Sequence, residues 1–362
     1  MKSLFHLAAL GLCLPHGVAP SADRSVYALA GGALPRSIET SAGTIRIGPA
    51  LVRDLEAEIE LVNNTSDDSG PLQVFVALPE DNERQRITDL DVHPDPAEVR
   101  IDEHGNAIAR LDVPSLAPHE KRVVGWKATV EVHSVRHVVD PAKLRPLDEV
   151  PKEIRDLYLR DGAMYGIGSP EVRKALAEAV GDETDLYRRV LAIHDYLTRK
   201  LSYDRDSRWD PAPEVLRTGL ASCSEYHFAF AALCRAAGIP VRWAGGSTFQ
   251  GDETWRDTVW HRWSEVYLPG HGWFPIDVTW DDAGDGPRDD RKYFGYTAAR
   301  FAFLTRGDLG DDHPLRWHYI AGVRGRSLKG GVSFAMTWTR HPESGAVAVD
   351  AAASGAAAEL AR

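Results

Sequence analysis

Apolar and polar residues alternate along the first third of the chain, which is the pattern of β-strands with one buried face. The alternation runs through the segments LEAEIELVNN, LQVFVALP, NAIARLDVP and KRVVGWKATVEVH, which are separated by clusters of Asn, Asp, Gly and Pro. The last segment places five residues on one face: Val124, Trp126, Ala128, Val130 and Val132. Residues 22–140 are therefore predicted to form an all-β sandwich.

The apolar period lengthens from two residues to between three and four after about residue 169, which predicts helices. Ser169 and Pro170 are the residue types of an N-cap and a first helical position, and they open a helix that runs to about Val180. A second helix is predicted from apolar residues at helical spacing: Leu186, Val190, Ile193, Leu197 and Leu201.

A third helix is predicted to begin in the segment SCSEYHFAFAALCRAAGIP. Ser222 followed by Glu225 has the spacing of a capping box, in which the two side chains bond to the first backbone N–H groups of a helix. This spacing makes Cys223 the first helical residue.

Two strands joined by a turn are predicted between residues 260 and 279. Trp260 to Leu268 alternates, with His261, Trp263, Glu265 and Tyr267 on one face and Trp260, Arg262, Ser264 and Val266 on the other. The segment PGHG is typical of a turn, and Trp273 to Thr279 is predicted to be the returning strand. His261 and Asp277 lie about equally far from this turn, so we expect them to be neighbours across the hairpin.

The composition indicates a folded protein of two units, since 43% of the 362 residues are hydrophobic. The formal net charge of -11 argues against binding to nucleic acid or to an anionic membrane, because both need clustered Lys and Arg.

The first residues have the layout of a secretory signal peptide. Lys2 precedes an apolar run from Leu4 to Leu14 that is too short to span a bilayer, and small residues then lead to a predicted cleavage after Ser21. We expect export to the periplasm of a Gram-negative bacterium or secretion, with no stable membrane insertion after cleavage. The alternative is a hydrophobic anchor that stays attached.

These patterns divide the chain into five parts. They are a signal peptide at 1–21, the sandwich at 22–140, a catalytic domain at 141–320, a C-terminal strand segment at 321–343 and a disordered tail at 344–362. The strand segment carries Val332, Phe334, Met336 and Trp338 on one face.

Two cysteines remain after signal removal, and they cannot pair with each other. Cys223 and Cys234 are eleven residues apart on one predicted helix, or roughly 16 Å at ~1.5 Å per residue, whereas a disulfide needs Cα atoms within about 7 Å. Cys234 lies on an apolar stripe and is predicted to be a core residue. Cys223 lies at a helix start, where the dipole favours a thiolate, so it is a candidate nucleophile. The alternative is a cysteine that merely begins a buried helix.

A nucleophilic thiol needs a base, and the base needs a group that orients it. His261 and Asp277 provide an imidazole and a carboxylate on neighbouring strands.

Three segments together resemble the transglutaminase-like superfamily of papain-like cysteine enzymes. They are LCRAAGIPVR after Cys223, HRWSEVY from His261 and GWFPIDVTW, which contains Asp277. The resemblance covers roughly residues 150–305. It implies that Cys223 is the nucleophile, His261 the general base and acid, and Asp277 the orienting carboxylate.

The resemblance also implies the architecture. The expected fold class is α+β, with a papain-like or transglutaminase-like core of helices packed on an antiparallel sheet, preceded by an all-β sandwich domain. The sandwich resembles the domain that precedes this core in many exported bacterial proteins, and we expect it to be either a substrate-docking module or a structural partner.

The oxyanion hole is only partly indicated. The backbone N–H of Cys223 is the first expected donor. Papain has a Gln six residues before its cysteine, and Arg217 occupies that place here. A second donor must come from elsewhere, and the candidate is Tyr203, whose alternative role is that of a packing aromatic residue.

No cofactor or metal is expected. His227 follows Cys223 by four residues, but no second Cys or His pair completes a zinc site, and the acidic loop from Asp281 lacks the spacing of a calcium loop. Six tryptophans flank the candidate site in sequence and are expected to line an apolar cleft or to be core residues: Trp209, Trp255, Trp260, Trp263, Trp273 and Trp280.

Three functions are compatible with these residues. The favoured one is hydrolysis of an amide bond in a protein, peptide or cell-wall peptide through a thioester. The second is transamidation, in which an amine resolves the same thioester and cross-links proteins. The third is a non-catalytic scaffold or binding protein of the same fold. The oligomeric state is left open by the sequence.

Overall fold

The computed structural model describes residues 36–205, 208–251, 253–282 and 291–342. The predicted signal peptide at 1–21, the predicted tail at 344–362 and most of the acidic loop after Asp281 lie outside these ranges.

The strands are β1 (Ser37–Thr40), β2 (Gly43–Val62), β3 (Leu72–Ala77), β4 (Gln85–His93), β5 (Glu98–Ile101), β6 (Ala107–Val113), β7 (Lys121–Val139), β8 (Ser202–Tyr203), β9 (Leu220–Ala221), β10 (Val241–Thr248), β11 (Thr254–Asp257), β12 (His261–Leu268), β13 (Gly272–Ile276), β14 (Tyr296–Thr297), β15 (Phe301–Arg306), β16 (Ala321–Arg324) and β17 (Val332–Arg340). The α-helices are α1 (Lys152–Tyr158), α2 (Pro170–Val180), α3 (Leu186–Lys200), α4 (Ala212–Thr218), α5 (Cys223–Ala236) and α6 (Val278–Asp282).

Two antiparallel sheets form the sandwich. The larger has the order β11-β17-β2-β7-β14, with β1 also paired to β2 and β4 to β7, and the smaller has the order β16-β3-β6-β5. The five residues predicted to share the inner face of β7 are all buried, which confirms that prediction. At their centre the indole N–H of Trp126 donates to the carbonyl oxygen of Ala77 in β3 at 2.9 Å, so the two sheets share a hydrogen bond as well as apolar contact.

The C-terminal strands belong to the sandwich. Residues 321–343 are predicted from sequence to be a separate segment, whereas β16 pairs with β3 and β17 pairs with nine residues of β2. The alternating pattern predicts β17 and its buried face, but a strand pattern does not identify the partner strand. β11 and β14, from within the predicted catalytic range, also join the larger sheet. The division of the chain into five parts stays a prediction.

The second unit packs helices against a four-stranded antiparallel sheet of order β13-β12-β10-β15. α5 lies against β12 and β10, and α2, α3 and α4 pack around α5. Every residue of the central strand β10 is buried. The protein therefore has the α+β fold class expected from the sequence, with a unit of helices and sheet beside a region made mostly of strands.

The predicted helices are confirmed. α2 spans Pro170–Val180, and the Ser169 side chain accepts a hydrogen bond from the Val172 N–H at its start. α3 buries Val190, Ile193 and Leu197.

The predicted hairpin is confirmed in its turn and its first strand, apart from Trp260, but the second strand is shorter than predicted. β12 and β13 pair in a register that sets Leu268 opposite Gly272. β13 ends at Ile276 and not at Thr279, because the Asp277 carboxylate accepts the Trp280 N–H at 3.1 Å and begins α6. The strand prediction past Ile276 is therefore wrong, since a side chain that caps a helix competes with the sheet there.

Deleting β17 tests its place in the sandwich. A chain that ends at Gly331 lacks β17. It therefore lacks Met336 and Trp338, two apolar residues that are completely buried in the full chain. Burial of a large apolar side chain stabilises a fold by about 1.5–3 kcal/mol, and a domain has about 5–15 kcal/mol in total. We expect the truncated protein to lose its cooperative thermal transition by circular dichroism. A chain ending at Pro342 is the control and should melt within about 2 °C of the full chain, a shift that corresponds to about 1 kcal/mol in a protein of this size. Equal melting of both truncated chains would contradict the assignment.

Candidate active site

Cys223 begins α5, as the sequence predicts. Ser222 precedes it in an extended conformation, with φ -80° and ψ 173°. The Glu225 carboxylate accepts the Ser222 N–H at 2.7 Å and the Asp210 N–H at 2.9 Å, which fixes the chain entering the helix. The thiol thus lies at the positive end of the helix dipole, with 9% of the residue exposed.

His261 and Asp277 meet across the β12–β13 hairpin. The strand register pairs Ser264 with Ile276, so His261 and Asp277 are diagonal neighbours near the open end of the hairpin. Nε2 of His261 lies 2.6 Å from Oδ2 of Asp277, and both residues are 5% exposed. The expected contact between imidazole and carboxylate is present.

The same imidazole bonds to the thiol. Cys223 shares a hydrogen bond with His261, and the backbone N–H of Arg262 also donates to its sulfur. Since Nε2 faces Asp277, Nδ1 is the ring nitrogen that remains for the thiol. The structure therefore brings together the three residues named from the sequence.

Burial and charge act in opposite directions on this pair. Burial raises the pKa of the Cys223 thiol, but the hydrogen bond and charge of His261 and the N–H and charge of Arg262 outweigh it and lower that pKa below its usual value. Burial lowers the pKa of His261, but Asp277 and Cys223 outweigh it and raise the pKa to about 10. A lowered thiol pKa and a raised imidazole pKa favour a thiolate–imidazolium pair at neutral pH.

Aromatic rings hold the imidazole of His261 in one orientation. The ring stacks on Phe301 at 5.6 Å between centroids and on Trp263 at 6.2 Å, and it meets Trp280 edge-on at 5.7 Å. A ring held by packing and by a carboxylate keeps its second nitrogen directed at one point, which proton transfer requires.

Asp257 fixes the turn that precedes His261. Its Oδ1 accepts the N–H groups of Val259 and Trp260, both at 3.0 Å, and the residue is 3% exposed. Trp260 has a φ of +64°, which a bulky residue rarely adopts. The carboxylate therefore stabilises the strained residue from which β12 starts.

The same carboxylate is tied to the sandwich. Oδ2 of Asp257 accepts the Ser247 hydroxyl at 2.8 Å and the Thr248 N–H at 2.9 Å. The Ser247 oxygen in turn accepts the indole N–H of Trp338, in β17, at 2.8 Å. A buried chain of hydrogen bonds thus runs from the C-terminal strand to the turn before His261.

A cleft of about 230 Å³ opens over Cys223 and His261. Three of the six tryptophans singled out in the sequence line it: Trp255, Trp260 and Trp280. The other three are not among the residues that line it: Trp263 stacks on His261, Trp209 makes a tilted contact with His318, and the ring of Trp273 lies under the Arg242 guanidinium. Trp255 belongs to β11, so one wall of the cleft comes from the larger sandwich sheet.

The two residues considered for the oxyanion hole have different positions. Tyr203 lines the cleft beside Cys223, and burial and the thiolate charge raise the pKa of its hydroxyl, which therefore keeps its proton. Arg217 lies on the exposed face of α4, where it is paired with Glu214.

His227 and Cys234 have structural partners in the core. Nδ1 of His227 lies 2.8 Å from the Ser264 hydroxyl, and burial and neighbouring arginines lower the pKa of the imidazole. Cys234 is fully buried, and burial raises the pKa of its thiol, so it is the core cysteine that the sequence predicts. Among the residues that the structure describes, no three His, Cys, Asp or Glu side chains are placed to hold a metal ion.

Two residues of the site were not found from sequence. Arg262 was assigned only to the second face of β12. The signal that could have singled it out was its charge, because the other residues of that face are apolar or small. Asp257 had no signal, because its segment TWRDTVW has the composition of an ordinary surface strand.

The comparisons with known proteins agree with this geometry. Residues 174–278, which include Cys223, His261 and Asp277, match the model of the transglutaminase-like superfamily. A protein from Cytophaga hutchinsonii, described as a candidate cysteine protease, has a similar structure, with a TM-score of 0.57, 17% identity, and coverage of 84% of this chain and 96% of that one. This similarity shows a common fold.

The periplasmic domain of TgpA from Pseudomonas aeruginosa is also similar, with a TM-score of 0.36, 15% identity, and coverage of 72% of this chain and 99% of that one. No curated protein matches the chain. Within the described ranges, none of the helices has the length and apolar character needed to cross a bilayer.

The lowered thiol pKa predicts selective alkylation. With iodoacetamide and peptide mass spectrometry, we expect Cys223 to react with a midpoint below pH 8.5, roughly the free-thiol pKa. Cys234, buried and with a raised pKa, is the internal control and should stay unlabelled until the protein unfolds. If Cys223 reacts only at or above the free-thiol midpoint, the thiolate assignment fails.

The role of Asp257 predicts a loss that exceeds simple destabilisation. Asp257→Asn removes acceptor capacity from a site that satisfies four donors, and each unsatisfied buried donor costs about 1–3 kcal/mol. We expect a lower melting temperature and an alkylation rate of Cys223 at pH 7 that falls about tenfold, because His261 loses its fixed position. Trp338→Phe, which removes only the outermost bond, should change the rate less. A lower melting temperature with an unchanged rate would make Asp257 purely structural.

Proposed function

The chain has a transglutaminase-like domain at residues 174–278, and we propose that it is a cysteine hydrolase that cleaves an amide bond through a thioester acyl-enzyme. The substrate is a protein, a peptide or a cell-wall peptide. The observation that carries the proposal is the arrangement of three residues: Cys223 and His261 line one cleft, and the Asp277 carboxylate holds His261 with 2.6 Å between Nε2 and Oδ2. Core packing alone does not require a thiol, an imidazole and a carboxylate in this order.

The first half of the reaction forms the thioester. The Cys223 thiolate attacks the carbonyl carbon of the substrate, and the S–C bond forms as the carbonyl electrons move onto oxygen. His261, protonated and held by Asp277, donates its Nδ1 proton to the leaving nitrogen as the C–N bond breaks. The amine departs, and the acyl group stays on the sulfur.

The second half returns the enzyme to its resting state. Neutral His261 takes a proton from water, and the hydroxide so formed adds to the thioester carbonyl. Collapse of this intermediate breaks the S–C bond, releases a carboxylic acid and restores the thiolate. Hydrolysis asks less of the site than amine transfer, because the second substrate is the solvent.

The proposed oxyanion hole has two donors. The backbone N–H of Cys223 belongs to the first turn of α5, where N–H groups have no intrahelical acceptor. The Tyr203 hydroxyl, protonated and on the cleft wall, is the proposed second donor.

The cleft suits an extended peptide. Its aromatic wall offers apolar contact, and its second wall, β11, lets the sandwich take part in substrate binding. The layout of residues 1–21 supports export, so the proposed substrates are proteins or cell-wall peptides of the periplasm or the extracellular space.

Hydrolysis and amine transfer can be distinguished in a single incubation. The protein is incubated in H₂¹⁸O with a library of proteome-derived peptides and a muropeptide mixture, with lysine methyl ester present as an acceptor amine. We expect product peptides that carry one ¹⁸O in the new carboxylate. Products joined to lysine methyl ester would instead assign a transamidase.

The controls isolate the nucleophile. Cys223→Ala should form neither product, whereas Cys234→Ser, a change at the fully buried cysteine, should keep the activity of whatever fraction folds. Labelled products that persist in Cys223→Ala, or no product of either kind with any library, would reject the proposal.

A further inference from the structure

Arg262 is a charged residue in the interior of the catalytic unit. It follows His261 in β12 and is fully buried. Its guanidinium lies 3.7 Å from the centroid of Trp243 and 4.9 Å from that of Tyr319. Gly245, its partner in β10, leaves the space that Tyr319 fills, since a Cβ there would lie 2.8 Å from the Tyr319 ring.

This guanidinium has few hydrogen-bond partners. Nη2 donates to the Trp317 carbonyl oxygen, but Nε and Nη1 have no hydrogen-bond partner among the described residues. Asp308, a carboxylate whose charge reaches Arg262, is already held by Arg235 at 2.7 Å and by the Tyr165 hydroxyl at 2.6 Å. A buried cation without its own anion is strongly unfavourable, and aromatic faces offset only part of that cost.

Of the groups whose charge reaches the Arg262 guanidinium, Cys223 is the one left to act as its anion, since Tyr319 and Tyr165 stay neutral phenols and Asp308 is already paired. The backbone N–H of Arg262 donates to the sulfur of Cys223, and the two residues line one small pocket. Each charge stabilises the other, since Arg262 favours the thiolate and the thiolate favours the guanidinium.

We propose that Arg262 is the counter-ion of the Cys223 thiolate. Four charges then alternate through the site: Arg262 positive, Cys223 negative, His261 positive and Asp277 negative. Arg262 acts through Cys223 and does not exchange protons, so it is a positioning residue for charge. This inference rests on the proposed cysteine chemistry.

The arrangement has a mechanistic consequence. His261 gives up its proton during acylation, so its charge cannot stabilise the sulfur throughout the cycle, whereas the charge of Arg262 is permanent. When the sulfur is acylated, Arg262 loses its counter-ion. This loss favours the collapse that expels Cys223 as a thiolate and releases the product.

The other titratable groups that face this pair do not supply a competing charge. Burial raises the pKa of Tyr203 and Tyr319, which remain neutral phenols. Burial lowers the pKa of His227 and His318, which remain neutral imidazoles. Two charged groups that also act here, Arg235 and Asp308, are paired with each other.

The test is the pH dependence of Cys223 alkylation in purified full-length variants. Arg262→Gln removes the charge and keeps a donor for Trp317, so we expect the midpoint to rise by about one to two pH units. At pH 7 labelling should slow by about 10-fold to 100-fold. Arg262→Lys keeps the charge and should hold the midpoint within about half a unit, less than the loss of a whole charge gives.

A matched control removes a different buried arginine. Arg242 lies 3.9 Å over Trp273 and pairs with Glu265 at 2.7 Å, away from the thiol. Arg242→Met should leave the midpoint unchanged. Equal shifts in Arg262→Gln and Arg242→Met, or a folded Arg262→Gln with an unshifted midpoint, would overturn the proposal.

A second measurement covers the case in which Arg262→Gln does not fold. In His261→Gln the imidazole is absent while Arg262 remains, so we expect the Cys223 midpoint to stay below the free-thiol value of ~8.5. A midpoint above that value would overturn the proposal, because burial would then be uncompensated. If Cys223 of the wild-type protein reacts as an ordinary thiol, the proposed function is rejected. That outcome differs from the outcomes for Arg262→Gln and His261→Gln, which reject only the role of Arg262.

Discussion

The site depends on one electrostatic requirement. A thiolate and an imidazolium that are both buried each need a second group that stabilises their charge, and this group must lie on the side that does not face the other ion. Asp277 provides it for His261 at 2.6 Å. The start of α5 and Arg262 provide it for Cys223. Without these groups burial would favour the neutral thiol and imidazole, since desolvation is the largest single effect on both. The surrounding fold is the framework that holds these charged groups in the positions at which they stabilise one another.

That framework draws on both units of the protein. The β12–β13 hairpin sets the spacing of His261 and Asp277, and α5 presents Cys223 to them. The sandwich reaches the same place through β11, which forms a wall of the cleft, and through Trp338, whose indole begins the hydrogen-bond chain that ends at the turn before His261. The sandwich is thus part of the site's architecture and not only a neighbour of the transglutaminase-like unit.

Patterns among residues close in sequence predicted the helix start and the hairpin. They did not predict which distant strands pair with each other. The start of α5 follows from Ser222 and Glu225, and the hairpin follows from alternation on both sides of a turn, because each depends on residues close in sequence. The pairing of β17 with β2 joins segments about 280 residues apart, and alternation specifies a buried face but no partner. The early end of β13 has a local cause, since one oxygen of Asp277 starts α6 while the other holds His261.

Arg262 was not predicted because an isolated arginine in a strand is normally exposed to solvent. Its burial becomes visible only in the folded structure, where Trp243, Tyr319 and neighbouring aromatic residues surround it.

The same electrostatics bear on which acceptor resolves the thioester. A permanent positive charge beside the sulfur makes the thiolate a better leaving group, so the acyl-enzyme is short-lived once a nucleophile reaches it. A short-lived thioester favours the acceptor that is always present, which is water, over an amine that must first bind. A transamidase would have to exclude water from the cleft while admitting an amine, and this cleft is bordered on one side by an edge strand of the sandwich. The proposed charge arrangement assists either acceptor, so the preference for hydrolysis rests on the open border of the cleft and the constant supply of water.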